Sequence, residues 1–215
     1  MFNFNPGARV LLLAPHTDDV EICCGGTVTR LARAGCELKY VAFSDCQEST
    51  PEGFSKGILS DEARAATAEL GLKKNSVEIL DFPVRHFGAH RQEILEYLIK
   101  VRQEFKPEAV FCPSQFDIHQ DHKTVSDEAL RAFRGSAILG YESPWNNFIM
   151  RHDLFIELTE SDLERKIHAL NCFKSQSFRS YFTEEYISSI ARVRGQQAGY
   201  NYAEAFAVSR IRVDG

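Results

Sequence analysis

Short apolar runs alternate with amphipathic helical segments four times between Arg9 and Tyr141. A covered strand followed by a helix must return parallel to itself, so this order dictates a parallel sheet with helices on both faces. Arg9–Ala14 is a continuous apolar run of the kind buried on both sides. The segment from Thr27 to Gly35 reads as a helix, with Gly35 just past its end. Leu38–Phe43 is a second strand, followed by a Pro- and Gly-containing loop over Ser44–Leu59. Ser60, Asp61 and Glu62 start a helix that runs to Gly71, and Val77–Phe82 is the third strand. Arg91–Phe105 places Ile94, Leu95, Leu98, Val101 and Phe105 on one stripe. Ala109–Pro113, a helix over Thr124–Phe133 and a strand at Ile138–Tyr141 complete the pattern.

The fold class is therefore α/β and Rossmann-like, a mostly parallel sheet with an irregular C-terminal third. In that third, Ser161–Glu164 has the spacing of a capping box. Thr183–Val193 is a helix broken by Gly195 and Gly199, and Ala205–Val213 a closing strand. No linker or repeat divides residues 1–215, which are expected to form one domain.

Several function classes fall away. The net charge of −5 offers no basic face to nucleic acid. No stretch approaches the roughly 20 apolar residues of a membrane span. The turn after the first strand lacks GxGxxG, which removes a nucleotide-cofactor oxidoreductase, and there is no GxSxG elbow for a serine hydrolase. Six cysteines without a CxxC pair read as thiols of a reducing compartment, so the chain is expected to be cytoplasmic.

Two clusters carry the chemistry. Pro15-His16-Thr17-Asp18-Asp19-Val20-Glu21 follows the first strand, and Asp117-Ile118-His119-Gln120-Asp121-His122 follows the fourth. Imidazole and carboxylate suit a divalent metal such as zinc, and ferrous iron accepts the same set. One turn can aim His16 and Asp19 at one centre, with His122 joining from the other loop. Three protein ligands leave a position open for water, the catalytic pattern. Asp18, diverging from Asp19, is placed to act as a base. By spacing alone, His119 and His122 could both bind metal. Asp117 and Asp121 are candidate partners for the histidine rings.

These motifs, with Gly25-Gly26 after the first, resemble the PIG-L/LmbE-like family of metal-dependent N-deacetylases. The helix from Glu62 to Gly71 is similar to that family's E…AA…LG segment, and the resemblance covers roughly residues 9–135. It implies zinc on His16, Asp19 and His122, Asp18 as general base, and His119, as imidazolium, steadying the oxyanion or protonating the leaving amine. It implies a hydrolase that removes acetyl from an amino sugar or an N-acetylglucosamine conjugate. The alternatives are hydrolysis of another small amide or ester, or a non-catalytic module that holds metal. Members often touch substrate through an arginine after the second strand, for which Lys56 and Arg64 are the candidates. Glu204 is similar to a late glutamate near the family's site mouth. Trp145, Tyr181, Phe182, Tyr200 and Tyr202 read as core or as homo-oligomer contacts, with a sugar-stacking platform as the alternative.

Overall fold

The computed structural model describes residues 4–211. Its strands are β1 (Arg9–Ala14), β2 (Glu37–Ala42), β3 (Val77–Ile79), β4 (Ala109–Pro113), β5 (Ala137–Tyr141), β6 (Leu154–Leu158) and β7 (Tyr202–Arg210). Its α-helices are α1 (Asp19–Arg33), α2 (Ile58–Glu69), α3 (Arg91–Phe105), α4 (Gln120–Ala132), α5 (Glu160–Leu170) and α6 (Glu184–Ala198). The sheet order is β3-β2-β1-β4-β5-β7-β6. The first five in that order run parallel, and β7 is antiparallel to both β5 and β6.

Alternation along β1 explains the two layers. Val10, Leu12 and Ala14 enter one core with residues of α1, α2, α5 and α6. Leu11 and Leu13 point the other way, into a core with Ile94, Leu98, Val125 and Ala129 of α3 and α4. The chain leaves β1 toward β2 on one side and returns through β4 on the other. The carboxyl ends of β1 and β4 therefore flank the topological switch point, where such sheets bind ligands.

The structure corrects several sequence expectations. Helix α1 begins at Asp19, not Thr27, but Cys24 breaks it with φ −144° and ψ 24°. A second helical segment restarts there, and its free N–H groups find a partner on β7. The N–H groups of Gly26 and Thr27 donate to the Glu204 carboxylate (3.1 and 2.7 Å), which also accepts from Lys166 Nζ (2.6 Å). A Cβ on Gly25 would stand 3.1 Å from Lys166 Cγ, and one on Gly26 2.6 Å from Leu158 Cδ1. The glycine pair thus lets β6 and α5 press against α1. Glu204 is buried in this contact rather than at a site mouth.

The capping box of α5 is formed by Thr159 and Asp162, two residues earlier than the Ser161–Glu164 spacing suggests. Gly195 does not end α6; it is a glycine inside the helix because the backbone of Tyr200 and Asn201 packs where a side chain would be. The helix continues to Gly199 at φ +79°. Strand β6 has no counterpart in the sequence reading. Arg212 and Val213 of the expected closing strand lie outside the described residues.

Replacing Glu204 with Ala removes the acceptor of both restart N–H groups and strands the Lys166 ammonium. A loss of about 3–5 kcal/mol in unfolding free energy is expected, read from the shift of a urea unfolding midpoint. A change near zero would show that the pair does not hold β7 to α1.

Candidate metal centre

His16 and Asp19 lie on the turn from β1 into α1, and His122 in the first turn of α4. Two buried aspartates orient the rings. Asp121 accepts from His16 Nε2 (3.0 Å) and from the backbone N–H groups of Arg85 (2.6 Å) and Phe87 (3.3 Å). Asp117 accepts from His122 Nδ1 (2.7 Å) and the His119 N–H (2.8 Å). With those nitrogens engaged as donors, the opposite nitrogen of each ring carries the lone pair.

These lone pairs converge. His16 Nδ1 lies 3.2 Å from Asp19 Oδ2, His122 Nε2 lies 3.3 Å from Asp19 Oδ1, and the two ring nitrogens are 3.3 Å apart. Tetrahedral ligands bound at about 2.0–2.1 Å stand about 3.3–3.4 Å from one another. Two imidazole nitrogens and a carboxylate at this spacing fit a divalent cation once the ring protons facing it are displaced. Asp19 also accepts the His16 N–H (2.8 Å), which locks the turn.

His119 is close by: its ring and those of His16 and His122 offer nitrogens within 4.8 Å of one another. It caps α4, and its Nδ1 accepts the Asp121 N–H (3.2 Å). An accepting Nδ1 bears no proton, so neutral His119 carries its hydrogen on Nε2 and is a hydrogen-bond donor there. Burial and the neighbouring histidines lower its pKa, which keeps it neutral. The imidazolium expected from the sequence is thus replaced by a neutral N–H donor.

Charges follow the same geometry. Burial would lower His16 and His122, but hydrogen bonds and ion pairs to Asp121, Asp19 and Asp117 outweigh it and raise them to about 9 and about 10. Burial would raise Asp19, yet the same imidazoles hold it well below the usual carboxylate range. Asp18 goes the other way: burial, then repulsion from Asp19, pushes it up to about 6. Asp18 precedes α1 without capping it and lines the cavity.

That cavity holds about 390 Å³ and is walled by the metal-site residues, by Trp145, Asn146 and Tyr181, and by two arginines, Arg85 and Arg179. The Trp145 and Tyr181 rings stack at 4.3 Å and 10°. Tyr200 and Tyr202 are absent from the lining, and Phe182 is buried behind Tyr181. Neither Lys56 nor Arg64 reaches the cavity: Lys56 lines a separate cleft and Arg64 donates to the Val77 carbonyl. Neither arginine was among the sequence candidates: Arg85 lies in the loop that leaves β3 and Arg179 in the irregular segment between α5 and α6. The one cue for Arg179 was its place in an aromatic run, Phe178-Arg179-Ser180-Tyr181-Phe182.

A cation-sized gap between three lone pairs, bordered by an acid near pH 6 and a neutral imidazole donor, is suited to activating water against a carbonyl. Residues 11–133 match the family described as PIG-L: GlcNAc-PI de-N-acetylase, and the chain belongs to that family. Diacetylchitobiose deacetylase of Thermococcus kodakarensis is 28% identical over 226 residues, spanning 94% of this chain and 83% of that protein. The uncharacterized deacetylase YaiS of Escherichia coli is 29% identical over 183 residues, spanning 80% of this chain and 93% of that protein. N,N'-diacetylchitobiose deacetylase of Pyrococcus horikoshii shares the fold at a TM-score of 0.78 and 24% identity, over 93% of this chain and 83% of that one. The 4-carboxy-2-hydroxymuconate hydratase of Pseudomonas putida does so at 0.79 and 22%, over 97% and 98%.

At pH 7 the raised imidazoles carry protons that a metal must displace. Zinc loading is therefore expected to release about two protons at pH 7, with apparent affinity rising toward pH 9 and above. Calorimetry in buffers of different ionisation enthalpy measures this, and an affinity indifferent to pH would contradict the ligand geometry.

Proposed function

We propose that the chain is a zinc-dependent N-deacetylase, with residues 1–215 acting as one catalytic domain. Its substrate is a small N-acetylated amino sugar or N-acetylglucosamine conjugate, and acetate is released. The observation that carries this reading is the triangle of His16 Nδ1, His122 Nε2 and Asp19, with Asp18 and the free Nε2 of His119 on the same cavity. The family and its curated diacetylchitobiose relative support the choice of reaction.

His16, Asp19 and His122 hold the metal in this reading. A bound zinc would supply Lewis acidity, bringing water's pKa from 15.7 to about 7. Asp18 takes the water proton on its carboxylate. A base whose pKa lies near 6 is ionised at neutral pH yet accepts a proton readily. His119 donates from Nε2 to the amide oxygen as negative charge grows there. Asp18 then returns its proton to the departing amine, so the residue ends as it began. Asp117 and Asp121 keep the histidine tautomers that make this set. No helix among the described residues is long and apolar enough to cross a membrane, and the substrate is taken as one that reaches an open cavity.

The test is acetate release from N-acetylglucosamine glycosides, abolished by a chelator and restored by zinc. Asp18→Asn should lose about 10²–10⁴ in kcat with metal content intact. His119→Ala should lose about 10²–10³ with metal content intact. Asp19→Ala and His122→Ala should instead lower metal stoichiometry. Full turnover in Asp18→Asn, or unchanged metal in both ligand variants, would overturn the assignment.

A further inference from the structure

We propose that Ile22, with Trp145 beside it, forms the floor against which the acyl group of the substrate rests, and that this floor limits the group to the size of acetyl. The proposal rests on the deacetylase reading above and adds the residue that sets acyl length.

Ile22 stands one turn below the base. Its N–H donates to the Asp18 carbonyl (3.0 Å), the bond that opens α1, so the two residues share a face of the helix. A helical side chain leans toward the N-terminus, which turns Ile22 back toward Asp18 and the cavity it lines. Trp145 joins from the loop after β5. The Ser143 carbonyl ties that loop into a turn by accepting the N–H groups of Asn146 (2.8 Å) and Asn147 (2.9 Å). The stacked Tyr181 ring fixes the indole from its other side.

A second, smaller cavity of about 30 Å³ lies behind these two residues, which line both cavities. Its other walls include Pro144, Ile187, Ile190, Ala191, Ala203 and Ala205. The charged groups on it are paired with one another, Lys166 with Glu204 (2.6 Å) and Arg194 with Glu142 (2.5 Å). An apolar recess whose charges are already matched suits hydrocarbon. Its volume is close to the share of one water in the liquid, about 30 Å³.

A carbonyl carbon under attack has three substituents to place. In the deacetylase reading its oxygen faces the donor triangle and His119, and its nitrogen faces the open mouth, where a sugar ring has room. The acyl carbon is left with the closed side, where Ile22 lies under Asp18. Cys46, Leu59 and Val84 form a separate apolar cluster on the same cavity, carried by other loops, and supply the control.

N-acetyl-, N-propionyl- and N-butyrylglucosamine serve as probes. Acid release is read on zinc-loaded protein, and binding on chelated protein by fluorescence of Trp145, the single tryptophan. The native protein should favour acetyl over propionyl by about 10- to 200-fold in kcat/KM, the range for one extra methylene in an apolar pocket. Ile22→Val should raise the propionyl-to-acetyl ratio about tenfold. Ile22→Ala, which opens the floor into the recess, should do the same for butyryl. The Val variant costs little packing and keeps the test open should the Ala variant fail to fold. Leu59→Ala should leave both ratios in place. Ratios unchanged in Ile22→Val, or moved as far by Leu59→Ala, would overturn the proposal. Acetate release with ratios indifferent to residue 22 sinks only the floor. Acyl-dependent binding that shifts with residue 22, without acid release from any probe, sinks only the deacetylase reading.

Discussion

Two carboxylates decide what the histidines can do. Asp121 and Asp117 each bind one imidazole and at least one backbone N–H, so they cannot turn without breaking several bonds. Their acceptance of His16 Nε2 and His122 Nδ1 leaves the remaining nitrogens as lone pairs facing Asp19. The Asp121 N–H does the reverse to His119, engaging its Nδ1 and leaving Nε2–H. One short segment, Asp117 to His122, thereby leaves one imidazole with a lone pair facing Asp19 and its neighbour with an N–H to donate. The role of each ring follows from hydrogen-bond bookkeeping rather than from position in the motif.

The fold supplies the place. Strands β1 and β4 lie side by side at the switch point, and both chemical loops leave from their carboxyl ends. The kink at Cys24 and the Gly25-Gly26 pair let α1 lie close under β6 and α5, while Glu204 caps the restarted helix from β7. The irregular C-terminal third is thus tied to the first helix of the site. That same third brings Gln176, Arg179 and Tyr181 to the cavity wall.

The sequence disclosed what local periodicity and composition encode. β1, α3 and β4 coincide with their expected spans, since a continuous apolar run or a 3.6-residue stripe leaves little choice of register. The residues of the donor triangle were visible because they sit next to strand ends in dense His/Asp motifs. β6 was not: Leu154–Leu158 is five residues, partly exposed, at the sheet edge. Nor was the α1 restart, whose cap comes from a glutamate nearly 180 residues away. Arg85 and Arg179 were hidden because a cavity wall assembled from separate loops has no sequence period. The proton on His119 also needed coordinates, since only the Asp121 N–H reveals which nitrogen is free.

The proposed chemistry depends on which atoms surround the cation. Zinc K-edge absorption spectroscopy on protein loaded with one equivalent reads that shell directly. The arrangement of His16, His122 and Asp19 predicts two imidazole nitrogens with oxygen ligands at about 2.0–2.2 Å. A third imidazole, which would be His119, or a sulfur near about 2.3 Å, such as that of Cys46 on the cavity wall, would contradict it.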